Sequence, residues 1–149
     1  MPTAVSSSQG KSYSKKEGTI SADRSTIEGG PLPSNLEAEQ ALLAACIVDA
    51  SGEVLGRCME QSIGPDHFYH PNHQLIFGAL LELHRENKLA DEILLADKLS
   101  SLGQLELVGG QSALIALTER IDSTGYATHW LSVVKEKALL RNCIRVAFE

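Results

Sequence analysis

The stretch that decides the fold is residues 71–83, PNHQLIFGALLEL. Its apolar residues recur at intervals of three and four, which places them on one face of a helix: Leu75, Ile76, Ala79, Leu80 and Leu83. Pro71 suits the first turn, where the missing N–H costs no helical hydrogen bond. These residues predict a long helix that begins at Pro71 and ends at Asn87-Lys88.

The same spacing predicts helices on both sides of this stretch. Ser34 and Glu37 fit a capping box, S-x-x-E, which predicts a first helix that closes near Asp49. A second helix over residues 51–61 would bury Val54, Leu55, Cys58 and Met59. After Gly64-Pro65-Asp66, Phe68 is expected to fill the core from a short turn.

Three more helices are predicted after Lys88. Asp91 can cap a helix that ends at Gly103 as its C′ glycine and buries Leu94, Leu95, Leu99 and Leu102. A helix with Leu114 and Leu117 follows Gly109-Gly110. The last helix is capped by Ser123 or Thr124 and runs to at least Arg145, with Tyr126 and Trp130 facing inward.

The apolar face of that last helix is broader than one small core needs. An apolar stripe beyond the end of a bundle is typical of an interface. We therefore predict that a second helical arm or a sister subunit covers the following residues: Leu139, Leu140, Ile144 and Phe148, with Lys137 and Arg141 beside them.

No segment alternates apolar and polar residues as a strand would. The predicted fold is all-α: a compact bundle of about six helices, the last of them the longest. Residues 34–149 form this domain. Residues 1–33 are rich in Ser, Thr, Gly and Lys and are predicted to be a disordered tail.

Composition excludes several classes of protein. The net charge of −6 makes the chain a poor binder of duplex DNA. Its three cysteines form no CxxC pair, which argues against a disulfide framework or a thiolate zinc site. There is no membrane-length apolar run and no secretory signal, so we predict a cytoplasmic protein without a membrane contact.

No catalytic or metal site is predicted. Gly109-Gly110 lacks the lysine of a phosphate-binding loop and is interpreted as a helix-start turn. His67, His70 and His73 could ligate zinc, but Pro71 interrupts their spacing and structural or solvated roles are favoured. Lys135, Lys137, Arg141 and Arg145 could touch phosphates, although a solvated face or an acidic protein partner is favoured.

Five motifs in order give the chain a family resemblance. LEAEQALL at 36–43, Phe68-Tyr69, HQLIF at 73–77, Gly103 with Val108-Gly109-Gly110, and KEKALLR at 135–141 resemble the N-terminal domain of DnaB-type replicative helicases. The resemblance covers residues 32–149 and implies that the last helix is the first arm of a helical hairpin whose second arm is absent.

This resemblance implies a non-catalytic domain that assembles a helicase ring and docks primase, and possibly a loader, in DNA replication. It implies a dimer for this fragment and a hexamer for the full-length protein. The ATP- and magnesium-dependent motor, and contact with DNA, would lie in an absent domain, so no cofactor is expected here. The alternative is a stand-alone helical regulatory or nucleic-acid-binding module.

Overall fold

A computed structural model describes residues 32–148 of the chain. In this part it contains six α-helices and one short 3₁₀ helix, Pro65–His67, and no strand, which confirms the predicted all-α class. The α-helices are α1 (Leu36–Val48), α2 (Glu53–Glu60), α3 (Pro71–Arg85), α4 (Glu92–Ser101), α5 (Gly110–Thr118) and α6 (Ala127–Ala147). None of them is long and apolar enough to cross a membrane.

The chain divides into two compact units. One is Ser34–Leu140, which holds α1 to α5 and most of α6. The other combines Met1–Pro33 with Arg141–Glu149, and only residues 32, 33 and 141–148 of it are described. The predicted disordered tail lies almost wholly outside the described residues and stays a prediction.

The start of α1 differs from the predicted capping box. Asn35, not Ser34, is the N-cap, and its side-chain oxygen accepts a hydrogen bond from the N–H of Ala38 at 3.0 Å. Asparagine caps as well as serine does. The helix therefore begins one residue later than the Ser34–Glu37 pairing predicted, and its first residue, Leu36, is 39% exposed.

The centre of the bundle is aromatic and aliphatic. Phe68, expected to fill the core, is buried, and its ring lies 4.9 Å from that of Phe77 on α3. Helix α3 packs against both α1 and α4, while α5 packs against α1 and α4 in turn. Because α3 has neighbours on several sides, six of its residues are buried: His73, Ile76, Phe77, Ala79, Leu80 and Leu83.

Helix α4 begins and ends as predicted. The Asp91 carboxylate accepts the N–H of Leu94 at 2.7 Å. Gly103 has φ +73°, and the following residue, Gln104, donates its N–H to the Leu99 carbonyl at 2.8 Å, the bond of a Schellman motif. Glycine adopts this left-handed geometry without steric cost. Leu102 is the exception: it was predicted to be buried and is exposed.

Three other burial predictions are wrong or incomplete. Met59 is exposed because it lies on the solvent side of α2, opposite Val54 and Cys58. Tyr126 precedes α6 and is 70% exposed, because the helix begins at Ala127 and not at Thr124. Trp130 is half-buried and packs against the core.

The Gly109-Gly110 pair forms the helix-start turn that the sequence predicted. Gly109 is the residue before α5 and has φ +106°. A Cβ atom at Gly109 would lie only 2.9 Å from the Cβ of Ala113. Both the backbone angle and the close approach therefore require glycine here.

Candidate protein-interaction surface

The predicted interface residues occupy the second half of α6. Leu139 and Phe148 are 62% and 66% exposed, Leu140 is exposed to a lesser extent, and Ile144 is half-buried. In the same stretch Val146 is also exposed. We call the exposed Leu139 and Leu140 of the Ser34–Leu140 unit the apolar end of α6; Val146 and Phe148 belong to the other unit.

The first half of α6 has the opposite character. Ala127, Leu131, Val134 and Ala138 are buried at intervals of four, three and four residues, which is one face of a helix. Leu131 and Val134 belong to the hydrophobic core. Leu139 follows Ala138 directly but is turned away from this stripe, so the surface it offers is apolar and exposed.

A groove of about 420 Å³ runs beside Leu139 within the Ser34–Leu140 unit. Leu131 lies in its lining, and Gln61 at the end of α2 forms part of the opposite wall. The Lys135 ammonium donates to Gln61 Oε1 at 2.7 Å, and Arg57 Nη1 donates to the Thr128 hydroxyl at 3.0 Å. These two exposed hydrogen bonds connect α2 with α6 beside the groove.

The cations of α6 do not form a free stripe. Lys135 donates a hydrogen bond to Gln61, and Lys137 is half-buried. Arg141, for which a solvated face was favoured, is buried, and its Nη1 donates to the Pro33 carbonyl at 2.9 Å. Arg145 Nη1 donates to Asn142 Oδ1 at 3.3 Å. Each arginine thus has a local role, which weakens the case for a continuous phosphate-binding face.

A buried polar cluster, missed by the sequence analysis, joins three of the quoted motifs. Glu39, only 1% exposed, accepts the N–H of Tyr69 at 2.7 Å, and its Oε1 lies 2.7 Å from His73 Nδ1. The side chain of Gln74 donates to the Phe68 carbonyl at 2.8 Å. A buried carboxylate needs such partners, so Glu39 ties α1 to the start of α3.

The histidines do not assemble a metal site. His67 Nδ1 accepts the N–H of Gly64, and His70 Nδ1 accepts the N–H of Asn72, both at 3.0 Å. Among the described residues there is no group of three or more His, Cys, Asp or Glu side chains that could hold a metal ion. The local roles favoured for His67, His70 and His73 agree with these bonds.

Cys46 and Cys58 are brought together by the fold although twelve positions separate them. Both are buried, and their thiols form a hydrogen bond with one another. This bond lowers the pKa of Cys58 and, together with burial, raises the pKa of Cys46 well above its ordinary value. Cys143 is exposed. Local spacing could not have revealed the pair, because α1 and α2 meet only in the folded chain.

Comparison with known proteins decides the family. The model of the DnaB-like helicase N-terminal domain matches residues 31–136, most of the chain. The chain belongs to this family. The five motifs quoted from its sequence fall within or next to the matched residues.

Relatives of the DnaB family support the assignment. The replicative DNA helicase DnaB of Treponema pallidum (strain Nichols) is 34% identical over 121 residues, which are 81% of this chain and 27% of the relative. The replicative DNA helicase DnaC of Bacillus subtilis (strain 168) is 33% identical over 115 residues, 77% of this chain and 25% of the relative. The chain thus spans about a quarter of the length of these curated relatives.

Two solved structures share the fold. The N-terminal domain of DnaB helicase from Mycobacterium tuberculosis superposes with a TM-score of 0.74 at 30% identity, covering 79% of this chain and 80% of that domain. A DnaB-like replicative helicase, described together with its interactions with primase, gives a TM-score of 0.65 at 25% identity, covering 76% of this chain and 26% of its own.

Proposed function

We propose that this domain acts in DNA replication by assembling a helicase ring and docking primase, and possibly a helicase loader, on it. The apolar end of α6 carries the proposal, because Leu139 is 62% exposed. Exposed apolar patches of this kind are typical of interaction sites. A second helical arm or a neighbouring subunit would cover them.

A second observation supports the docking of primase on this domain. One of the two superposed helicases is described with its interactions with primase, and the present domain shares its fold over 76% of the chain. ATP, magnesium and DNA would be bound by a motor domain outside these residues, in a cytoplasmic protein. The domain itself would contribute contacts and no catalysis.

The assembly role can be tested with a matched pair of variants. Leu139 and Leu89 are equally exposed, at 62% each, but Leu89 lies before α4 and far along the chain from α6. We expect Leu139→Gln to weaken self-association at least tenfold and Leu89→Gln to leave it unchanged, as measured by sedimentation equilibrium. Equal behaviour of the two variants would contradict an interface at the apolar end of α6.

The docking role needs a separate measurement. A protein extended beyond Glu149 through the second helical arm would be titrated with the C-terminal domain of primase in a calorimeter. We expect binding in the micromolar range or tighter. No heat of binding at tens of micromolar, about −6 kcal/mol or weaker, would reject primase as the partner without affecting the assembly role.

A further inference from the structure

A second concave site lies in the Ser34–Leu140 unit, in a part of the bundle that α6 does not line. It is a cavity of about 290 Å³ between the start of α3 and one face of α5. Its apolar wall is formed by Ile76, Val108 and Leu117. Ligand pockets in proteins are commonly about 300 Å³ or larger, so this cavity suits a group of about the size of one amino-acid residue.

His73 gives the cavity a buried hydrogen-bond acceptor. It lines the cavity and is 6% exposed. Its Nδ1 faces the Glu39 carboxylate at 2.7 Å, and because an ionised carboxylate only accepts hydrogen bonds, the hydrogen of the imidazole is assigned to Nδ1. The lone pair of Nε2 then has no partner among residues 32–148. Buried polar atoms are nearly always hydrogen-bonded, so we expect Nε2 to accept a hydrogen bond from a ligand.

Two hydrogen-bond donors lie in the same lining. His70 Nδ1 accepts the N–H of Asn72 at 3.0 Å, which places the hydrogen of that ring on Nε2. The His70 ring lies over His73, with centroids 4.9 Å apart. Arg120 is also among the residues that line the cavity, and its guanidinium makes no ion pair or hydrogen bond with any residue in the described range.

The cavity therefore offers a cation and an N–H on the donor side, one buried acceptor, and an apolar wall. The C-terminal residue of a peptide carries the matching groups: a carboxylate for Arg120 and His70, a main-chain N–H for His73, and a side chain for the wall. Capture of a C-terminal carboxylate is a known mode of peptide recognition. A simple anion would leave the His73 acceptor and the apolar wall without partners.

We propose that this cavity binds the carboxyl terminus of a partner polypeptide whose last residue is aliphatic. The site is separate from the apolar end of α6, so the proposal goes beyond the assembly role and can fail without it. Binding of a single terminal residue would be weak by itself and would add specificity to a larger contact.

The test uses the full 149-residue chain and short peptides. An acetylated peptide ending in Ser-Leu with a free carboxylate is titrated while the imidazole and backbone NMR signals of His70 and His73 are followed. We expect saturable shifts with a Kd below about 1 mM. The same peptide with a C-terminal amide should bind at least tenfold more weakly, because it has lost the charge that faces Arg120.

Variants and further peptides sharpen the result. Arg120→Gln should reduce binding of the free carboxylate at least tenfold, since Arg120 is exposed and its loss should not unfold the domain. Arg85→Gln, an exposed arginine at the end of α3, is the control and should leave binding unchanged. A peptide with an internal Glu and an amidated end should not bind.

Several outcomes would overturn the proposal. They are equal binding of the acid and the amide, equal binding of the internal-Glu peptide, no shift at 10-fold above the expected Kd of about 1 mM, or shifts produced equally by inorganic phosphate. The last result would assign the cavity to small anions. None of these outcomes bears on whether Leu139 mediates self-association.

Discussion

Helices α3 and α6 are both rich in apolar residues but use them differently. Over its 15 residues, Pro71–Arg85 buries an aliphatic and aromatic face among α1, α4 and the 3₁₀ helix. Over its 21 residues, Ala127–Ala147 buries a stripe whose last members are Ala138 and Arg141. Leu139, Leu140 and Val146 lie in the same part of the helix and are exposed. Apolar residues thus serve folding in α3, whereas several of those in the second half of α6 are exposed.

The contrast extends to polar groups. At the start of α3, Glu39 is buried and its carboxylate accepts hydrogen bonds from His73 Nδ1 and from the main chain. Along α6, polar contacts such as Lys135 to Gln61 lie on the surface. Loss of a hydrogen bond to a buried carboxylate costs about 1.5–3 kcal/mol, whereas exposed polar contacts contribute little. Substitutions in the two regions should therefore differ sharply in their effect on stability.

The largest loss is expected for Glu39→Ala. It would remove the acceptor of the buried His73 Nδ1 and of the part-buried N–H of Tyr69. Because two hydrogen bonds to a carboxylate are lost, we expect the free energy of unfolding to fall by about 3–5 kcal/mol, measured by urea denaturation followed by circular dichroism. Glu37→Ala, an exposed position on the same helix, is the control and should cost less than about 0.5 kcal/mol.

Glu39→Gln is the second variant, to be measured if Glu39→Ala does not fold. Its amide oxygen can still accept the N–H of Tyr69, so we expect a loss between those of the two alanine variants. If Glu39→Ala and Glu37→Ala were equally stable, the Glu39–His73 pair would not stabilise the bundle.

A smaller loss is expected for Leu131→Ala in the first half of α6. Leu131 is 7% exposed and belongs to the core, but it also borders the groove beside Leu139. The open side lets the site relax, so we expect about 2 kcal/mol, the lower end of the range for buried leucines. Urea denaturation at constant pH measures it. A loss below about 0.5 kcal/mol would show that α6 is docked only loosely on the core.

Asp49→Asn tests a cap between α1 and α2 and its dependence on pH. The Asp49 carboxylate accepts the Val54 N–H at 2.7 Å and the Ser51 hydroxyl at 2.6 Å. Partial burial raises the pKa of Asp49, but these hydrogen bonds outweigh it and hold the pKa below its ordinary 3.8. Because hydrogen bonds to a charged carboxylate are stronger than those to a neutral amide oxygen, we expect the variant to lose about 1 kcal/mol at neutral pH.

The sign of the pH dependence follows from the lowered pKa. The contribution of the carboxylate is present above pH 3.8, the ordinary value for the unfolded chain, and is lost as the pH falls through the lower value of the folded chain. The difference between wild type and Asp49→Asn should therefore shrink in acid. A difference that grew as the pH fell would contradict the lowered pKa.

The sequence predicted the features that depend on neighbours along the chain. The helical spacing of α3, the cap at Asp91 and the left-handed Gly103 are local, and the structure has all three. Leu102 and Met59 were mispredicted because apolar character alone does not specify which side of a short helix meets a neighbour. Periodicity identifies the apolar face of a helix, whereas packing against neighbouring helices decides how much of that face is buried.

The candidate sites were less predictable because they depend on contacts between distant segments. Glu39 meets His73 across 34 positions, and Arg141 meets Pro33 across 108. No spacing rule connects such residues. The quoted motifs did contain Glu39, Tyr69 and His73, so the signal was their co-occurrence in order along the chain. The exposure of Leu139, by contrast, was predictable from an apolar face that was too broad for one core.

The smallest effect on folding is expected for Leu139→Ala, and it tests the contrast most directly. Leu139 is 62% exposed, so its truncation should change the free energy of unfolding by less than about 0.5 kcal/mol at a protein concentration low enough to keep the chain monomeric. Leu131→Ala, eight residues earlier on the same helix, is the natural comparison. If the two substitutions cost the same, Leu139 packs inward, and the second half of α6 serves folding as α3 does. A loss confined to Leu131 would instead leave Leu139 available for a partner.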